Sequence, residues 1–400
     1  MSSEGESSNL EISNHNKQLI HEIFELEANG HKDARDLFKE EITGFLIRTD
    51  DGSYTLASDK RGEESETLHS TFGARTEAFN KFIIPSKVLE KAENSTVIKV
   101  LDICSGIGYN VSALLDYLKD VDVDIEIDMV ESSLETLATT LFIPDICESH
   151  QYVKKAIETY LIEKSYLKFN KVLSNIPSNV TINIHVCDAR DYIKNCDNKE
   201  YDAIFLDPFS PAKCPELYTV DFFSRLKQVL TPTALILTYT AASPVRAAFV
   251  EVGLHVGEGP RFHRSGGTIA SRSPALIETP LSFSDVKVIA LSDVGIPYID
   301  PYLNDDYKTI IERRQNQRKI SRGKSTFPSS SKLPRYLGLD PNVIEDENLR
   351  NKLVAYVQEM GFSSLNDERI INLLNIDPKL YSRDQILSLK ENLHNLLNNN

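Results

Sequence analysis

The chain has 400 residues, 41% of them hydrophobic and 26% charged, and a formal net charge of −15. That length accommodates two or three domains with a sizeable core, and that charge argues against indiscriminate binding to polyanions. No apolar run approaches the ~20 residues that a bilayer crossing needs, so a cytoplasmic protein with no membrane partner is expected.

Residues 1 to about 14 are rich in Ser, Glu and Asn and read as disordered. Leu19, Ile20, Ile23, Phe24 and Leu26 then mark a helix that Asn29-Gly30 ends, and Ala34 to Ile42 starts another. Gly44 to Ile47 and Tyr54 to Ala57 flank Asp50-Asp51-Gly52, a hairpin signal because glycine supplies the positive φ of the turn. A helix follows with apolar face Ala74, Ala78, Phe79 and Phe82, and its entry brings His69, Ser70, Arg75 and Glu77 close together in sequence. An ordinary salt pair at a solvated helix start accounts for that cluster equally well.

From Val97 strands and helices alternate, the pattern of a parallel sheet covered on both faces. Lys99 to Ile103 is an apolar strand holding Asp102, and Gly106-Ile107-Gly108-Tyr109-Asn110 then leads into a helix with Val111, Leu114, Leu115 and Leu118 on one face. This is a strand, a tight turn and a helix, and such turns let a ligand approach the backbone. The dinucleotide fingerprint wants a third glycine where Val111 stands, which disfavours a nicotinamide cofactor. An acid followed by G-x-G suits S-adenosyl-L-methionine instead. Ile125 to Val130 forms the second strand and closes on Glu131, where a ribose diol can receive two hydrogen bonds; a solvent-facing or helix-capping Glu is the plainer alternative.

A helical insert from Leu134 to Leu173, broken near Pro144, precedes a third strand, Ile182 to Cys187. Asp188 after it can accept from an adenine amino group or cap the helix beginning near Arg190. The fourth strand, Ala203 to Leu206, delivers Asp207-Pro208-Phe209-Ser210-Pro211-Ala212-Lys213-Cys214-Pro215-Glu216-Leu217-Tyr218. Its prolines fix an extended loop with little entropy to lose. The layout is similar to the D/N-P-P-F/Y loop of amine methyltransferases, in which Asp207 can accept from an amine and take up its proton while Phe209 stacks on a base; a structural loop is the plainer alternative.

Leu235 to Thr240 reads as the fifth strand, a helix with Val245-Arg246 starts at Ser243, and Gly253 to Ala270 reads as an edge hairpin whose Arg261, His263 and Arg264 could meet phosphate. Val286 to Leu291 is a further strand candidate. Nine basic residues against one acid then stand between Lys308 and Arg335, either an RNA-backbone contact or a solvated charge run, with Ser325 to Lys332 as a flexible connector. Residues 341 to 400 read as polar helices, including Leu349 to Met360 and Ile386 to Leu397. The five cysteines (104, 147, 187, 196 and 214) form no C-x-x-C pair, so no metal site or disulfide framework is expected.

With these blocks assembled, the chain from about His69 to Ser273 resembles the MnmC-like methyltransferases. These are the tRNA 5-methylaminomethyl-2-thiouridine methyltransferases, whose bacterial members are often fused to an FAD-dependent oxidoreductase domain. The resemblance rests on His69-Ser70 with Gly73-Ala74 and Glu77-Ala78, on the Gly106 to Asn110 loop, on Leu206 to Lys213 with Pro215 to Tyr218, and on Val245-Arg246 before Gly253. Pro208 stands where glycine is expected, and Tyr218 where tryptophan is frequent. The resemblance implies an α/β, Rossmann-like class I fold and methyl transfer from S-adenosyl-L-methionine to the amine of 5-aminomethyluridine at the wobble position of tRNA. By carry-over, Asp102, Gly106, Gly108, Asn110, Glu131 and Asp188 hold the cofactor, and Asp207 and Phe209 are catalytic. His69, Pro208, Pro211, Lys213, Tyr218 and Arg246 face the substrate. No glycine-rich turn in either flank suggests the oxidoreductase domain.

The expected organisation is a cap over 1–66, a methyltransferase domain over 67–300, a basic linker over 301–340 and a helical region over 341–400. Three other readings stay open: methylation of another amine in RNA, protein or a small molecule; an aminopropyltransferase-like activity, against which Lys213 speaks; and a non-catalytic tRNA-binding or assembly protein that kept the fold, against which the intact Asp102, Glu131, Asp188 and Asp207 series speaks.

Overall fold

The computed structural model describes residues 14–56, 72–196, 198–262 and 265–398, which divide into two compact units. The first unit comprises Met1–Cys214, Gln228–Tyr239 and Gly259–Gly267. It is built on the parallel strands β3 (Val97–Ile103), β4 (Asp124–Glu131), β5 (Val180–Val186), β6 (Tyr201–Leu206) and β7 (Leu230–Thr238), after a small antiparallel hairpin of β1 (Ile47–Arg48) and β2 (Tyr54–Thr55). With the edge strands β8 (His255–Phe262) and β9 (Ser265–Ser271), the sheet order is β5-β4-β3-β6-β7-β9-β8. The central strands are near-continuous apolar runs because helices cover both faces.

Sheet register decides which residues meet. Ile103 pairs with Val130 on one side and Leu206 on the other, so the chain leaves β3 and β6 at the same level. Glu131 pairs with Val186. The loops beginning at Cys104, Glu131, Cys187 and Asp207 therefore open at one edge of the sheet, where the order reverses at β3 and ligands of such sheets bind.

Helices Asn14–Ala28 and Ala34–Gly44 and the β1–β2 hairpin precede this sheet. Arg35, nearly fully buried, joins Glu27 at 2.7 Å and Glu158 at 2.6 Å and also donates to the Phe169 carbonyl. Asp51 in the hairpin turn accepts from the Thr76 backbone and hydroxyl, each at 2.8 Å. Burial raises that carboxyl, but the donors Ser53 and Thr76 more than offset it and hold Asp51 well below the usual carboxylate range. The insert after β4 breaks at Pro144 as expected, but its second helix ends at Glu163 rather than near Leu173, with Ser165 turning left-handed at φ 63°.

The second unit comprises Pro215–Lys227, Thr240–Glu258 and Thr268–Asn400. Its core includes Phe223 stacked on Phe249 at 3.9 Å and the buried Val286, Ile289, Ile310, Leu353 and Ile386. The segment Val286 to Leu291, expected as a strand, lies in a helix, Phe283–Leu291, which Ser282 caps by accepting from the Asp285 backbone at 3.1 Å. Six apolar-rich residues do not discriminate strand from buried helix; the capping serine does.

The expected basic linker is also structured. Helix Tyr307–Ser321 occupies its centre, capped by Asp306, and Ser330–Arg335 forms a 3-10 turn. Its arginines have internal partners. Arg313 meets Asp305 at 2.6 Å, Arg314 donates to the Ile296 and Val294 carbonyls, and Arg318 and Arg322 both reach the buried Asp293 at 2.9 Å. Arg335 meets Asp285 at 3.2 Å. This stretch belongs to the second unit's structure, and Asp305, Asp293 and Asp285 neutralise part of its charge there. Among the described residues no helix is long and apolar enough to cross a membrane.

Candidate active site

The glycine loop after β3 is a tight, left-handed turn: Cys104, Gly106 and Gly108 have φ of 60°, 53° and 76°. The Gly108 amide closes it on the Ser105 carbonyl at 2.8 Å. A Cβ at Gly108 would stand 2.6 Å from Val153 Cγ1, so packing as well as φ requires glycine there. The Glu131 carboxylate accepts from the Gly106 amide through one oxygen and from the Ser133 amide through the other, each at 3.0 Å, tying the loop to the end of β4.

Asp102 is fully buried, and neither carboxylate oxygen has a hydrogen-bond partner. Burial, reinforced by the charge of Glu131, pushes its carboxyl up to about 7. Asn110, on the first turn of helix Tyr109–Leu118, donates from Nδ2 to Asp207 Oδ2 at 3.1 Å, while its own buried Oδ1 is unpartnered. Asp207 follows β6 directly, its amide bonded to the Ile103 carbonyl at 3.2 Å. Its carboxyl lies well above the usual range, first because it is buried and then because of the negative charge of Glu77. The Cys104 thiol is raised too, by burial and by the charges of Glu131, Asp207, Asp188 and Asp102, four acids from four strand ends.

The buried, unpartnered oxygens of Asp102 and Asn110 are costly alone and fit a ligand that brings positive charge and N–H groups. S-adenosyl-L-methionine, with its ammonium and sulfonium, is that kind of ligand.

Asp188 caps helix Ala189–Lys194 by accepting from the Arg190 amide at 2.8 Å and pairs with the Arg190 guanidinium, also at 2.8 Å. Pro208 and Pro211 are buried, Phe209 is half-buried, and Lys213 closes a turn through its amide on the Ser210 carbonyl at 2.8 Å. Tyr218 and Arg246 belong to the second unit. Tyr218 is fully buried there, and the Arg246 guanidinium is taken up by Glu258 at 3.1 Å, Asp285 at 3.5 Å and Thr268 at 3.1 Å, an internal anchor. His69, Ser70, His263 and Arg264 lie outside the described residues.

One residue near Asp207 escaped the sequence reading. Lys81 pairs with Glu77 at 2.5 Å, buried, with its amine 5.5 Å from the Tyr239 ring at the end of β7. Both lie where helix Ala74–Glu77 passes into the π-helical turn Ala78–Ile83, a widened turn often found at functional sites. The i, i+4 spacing of Glu77 and Lys81 was the available signal.

Residues 147–273 match the family model described as S-adenosyl-L-methionine-dependent methyltransferase. The chain is 33% identical over 348 residues to an uncharacterized protein of Methanocaldococcus jannaschii, covering 86% of this chain and 90% of that one. It is 23% identical over 249 residues to the tRNA 5-methylaminomethyl-2-thiouridine biosynthesis bifunctional protein MnmC of Campylobacter hominis, 59% of this chain but only 36% of that protein. The crystal structure of MnmC2 from Aquifex aeolicus superposes with a TM-score of 0.57 at 28% identity, over 72% of this chain and 92% of that one. The sheet edge, its buried acids and these likenesses agree: the chain belongs to the S-adenosyl-L-methionine-dependent methyltransferases, with an MnmC-like domain of α/β class I fold and S-adenosyl-L-methionine as its cofactor.

Proposed function

We propose that this methyltransferase acts on tRNA, adding one methyl group to the amine of 5-aminomethyluridine at the wobble position. The observation that carries the reading is Asp207, half-buried just after β6, followed by Pro208-Phe209 and held by Asn110 at 3.1 Å. The bifunctional relatives are named for tRNA 5-methylaminomethyl-2-thiouridine biosynthesis, which supports the substrate.

An alkylamine has a reference pKa near ~10 and arrives protonated, so the site must remove a proton before nitrogen can act as nucleophile. Burial and the charge of Glu77 raise the proton affinity of Asp207, which suits it to accept that proton and then orient the free amine. Asp102, Gly106, Gly108, Asn110, Glu131 and Asp188 would hold the cofactor, which when bound supplies an electrophilic methyl on sulfur. The new C–N bond forms as the S–C bond breaks, and Phe209 and Lys213 would contact the base and its phosphates while Pro208 and Pro211 keep the loop extended.

The test is nucleoside mass spectrometry of tRNA from a strain lacking the protein, before and after incubation with purified enzyme and labelled cofactor. One methyl gained on a 5-aminomethyluridine-type nucleoside is the expected result. Methylation elsewhere would keep the enzyme class and overturn the wobble assignment, and incorporation only into a non-RNA amine would move the substrate to another class.

A further inference from the structure

The second unit contains a cleft of about 510 Å³. It is walled by the chain after helix Phe283–Leu291, by the turn Lys324–Thr326 and by the final helix, Ser382–Asn398. Lys324, Lys390 and His394 line it, with the hydroxyls of Ser292, Ser325 and Thr326, and none of its described lining residues is Asp or Glu. An acid-free, lysine-lined cleft stands out on a chain of net charge −15.

Lys390 is the unusual member. Its side chain is half-buried, and among the described residues its amine has no hydrogen bond or ion pair; Glu251 acts on it only through space. Burial accordingly lowers its affinity for a proton. Lys324 is exposed, and its side chain likewise has no described partner, whereas Arg313, Arg314, Arg318, Arg322 and Arg335 of the same basic stretch all do. Two unneutralised amines from different elements, over a partly apolar lining that includes Ile289 and Leu393, form a setting in which an oxyanion is held more strongly than on open surface.

We infer that this cleft binds a phosphate group, with Lys390 and Lys324 donating to its oxygens. The phosphate can come from an RNA backbone, which rests on the proposed tRNA substrate, or from a free phosphate compound, which does not.

The experiment compares the wild-type full chain with Lys390→Met and Lys324→Met. Inorganic phosphate is titrated by calorimetry, and unmodified tRNA is bound across a range of salt. Wild type is expected to bind phosphate, Lys390→Met to weaken it about tenfold or more, and Lys324→Met several-fold. If RNA is the source, each variant also lowers tRNA affinity, reduces the slope of log affinity against log salt by about one, and phosphate competes with tRNA. If phosphate binding falls while tRNA binding stays constant, the site stands with a free phosphate compound as its ligand. Wild type binding no phosphate, or both variants binding it like wild type, would overturn the inference. Lys324→Met keeps the test open if Lys390→Met does not fold, because Lys324 is exposed. Failure of the tRNA reading would appear separately, as wild type transferring no methyl to tRNA while the phosphate titration still decides the cleft.

Discussion

Asn110 and Asp207 lie 97 residues apart in sequence, and a single 3.1 Å hydrogen bond joins the glycine turn after β3 to the loop after β6 through them. The amide favours the carboxylate form of Asp207 against burial and the charge of Glu77. Asn110→Ala removes that donor, so the Asp207 carboxyl rises further. The ascending limb of the pH–rate profile should move to higher pH and turnover at neutral pH should fall about tenfold or more. An unchanged profile with lower turnover would make Asn110 a packing residue.

Asp207→Asn keeps the shape of the site but takes away the proposed proton acceptor. Methyl transfer should slow by a factor on the order of 10² to 10⁴, while cofactor affinity, measured by calorimetry, changes little. Equal losses in both would remove Asp207 from the chemistry.

Asp102 has a consequence for stability. Its carboxyl is pushed up to about 7 in the folded, ligand-free protein, against an ordinary value of 3.8. Between these values the folded state holds more protons than the unfolded chain, so this group makes the protein more stable as pH falls from 7 toward 4. Asp102→Asn should flatten the pH dependence of urea denaturation in that window by up to about 1.4 kcal/mol per pH unit. Asp51, held low, works in the opposite sense, and its contribution is lost only as pH falls below its ordinary value of 3.8. Cofactor binding should weaken in the same Asp102 variant.

Gly108→Ala meets two obstacles at once, a left-handed φ of 76° and a contact of 2.6 Å with Val153, whose branched side chain has little room to rotate. A loss of about 2–4 kcal/mol in denaturant unfolding is expected, together with weaker cofactor binding. Val153→Ala in the same chain should recover part of it, because it removes the clash and leaves only the backbone strain.

The sheet and its acids were legible in sequence because β3, β4 and β6 are apolar runs that end on or beside a charged residue, and a buried parallel strand has few other ways to look. Asp102, Glu131 and Asp207 were located in this way. Val286 to Leu291 misled because a short apolar run has no periodicity of its own, and the evidence lay in Ser282 before it. The arginines after Lys308 misled differently. Composition counts charges but not partners, and Asp293, which takes both Arg318 and Arg322, precedes them by more than twenty residues. Lys81 was overlooked for a related reason: a lysine in a helix pattern is ordinarily solvated, and its i, i+4 pairing with Glu77 does not by itself tell that this one is buried.

The pairing of Ile103 with Val130 and Leu206 also bears on how such an enzyme can change over time. The site's acids are aligned by hydrogen-bonded neighbours inside the sheet, so the chain connecting one strand to the next is free to lengthen. The long insert between β4 and β5 does so without disturbing the level at which Glu131 and Val186 meet. A one-residue slip between β3 and β6 would instead turn every side chain of the strand to the opposite face and separate Asp207 from Asn110. Tolerance to drift is therefore expected in the connections, and strictness in strands that never touch a substrate.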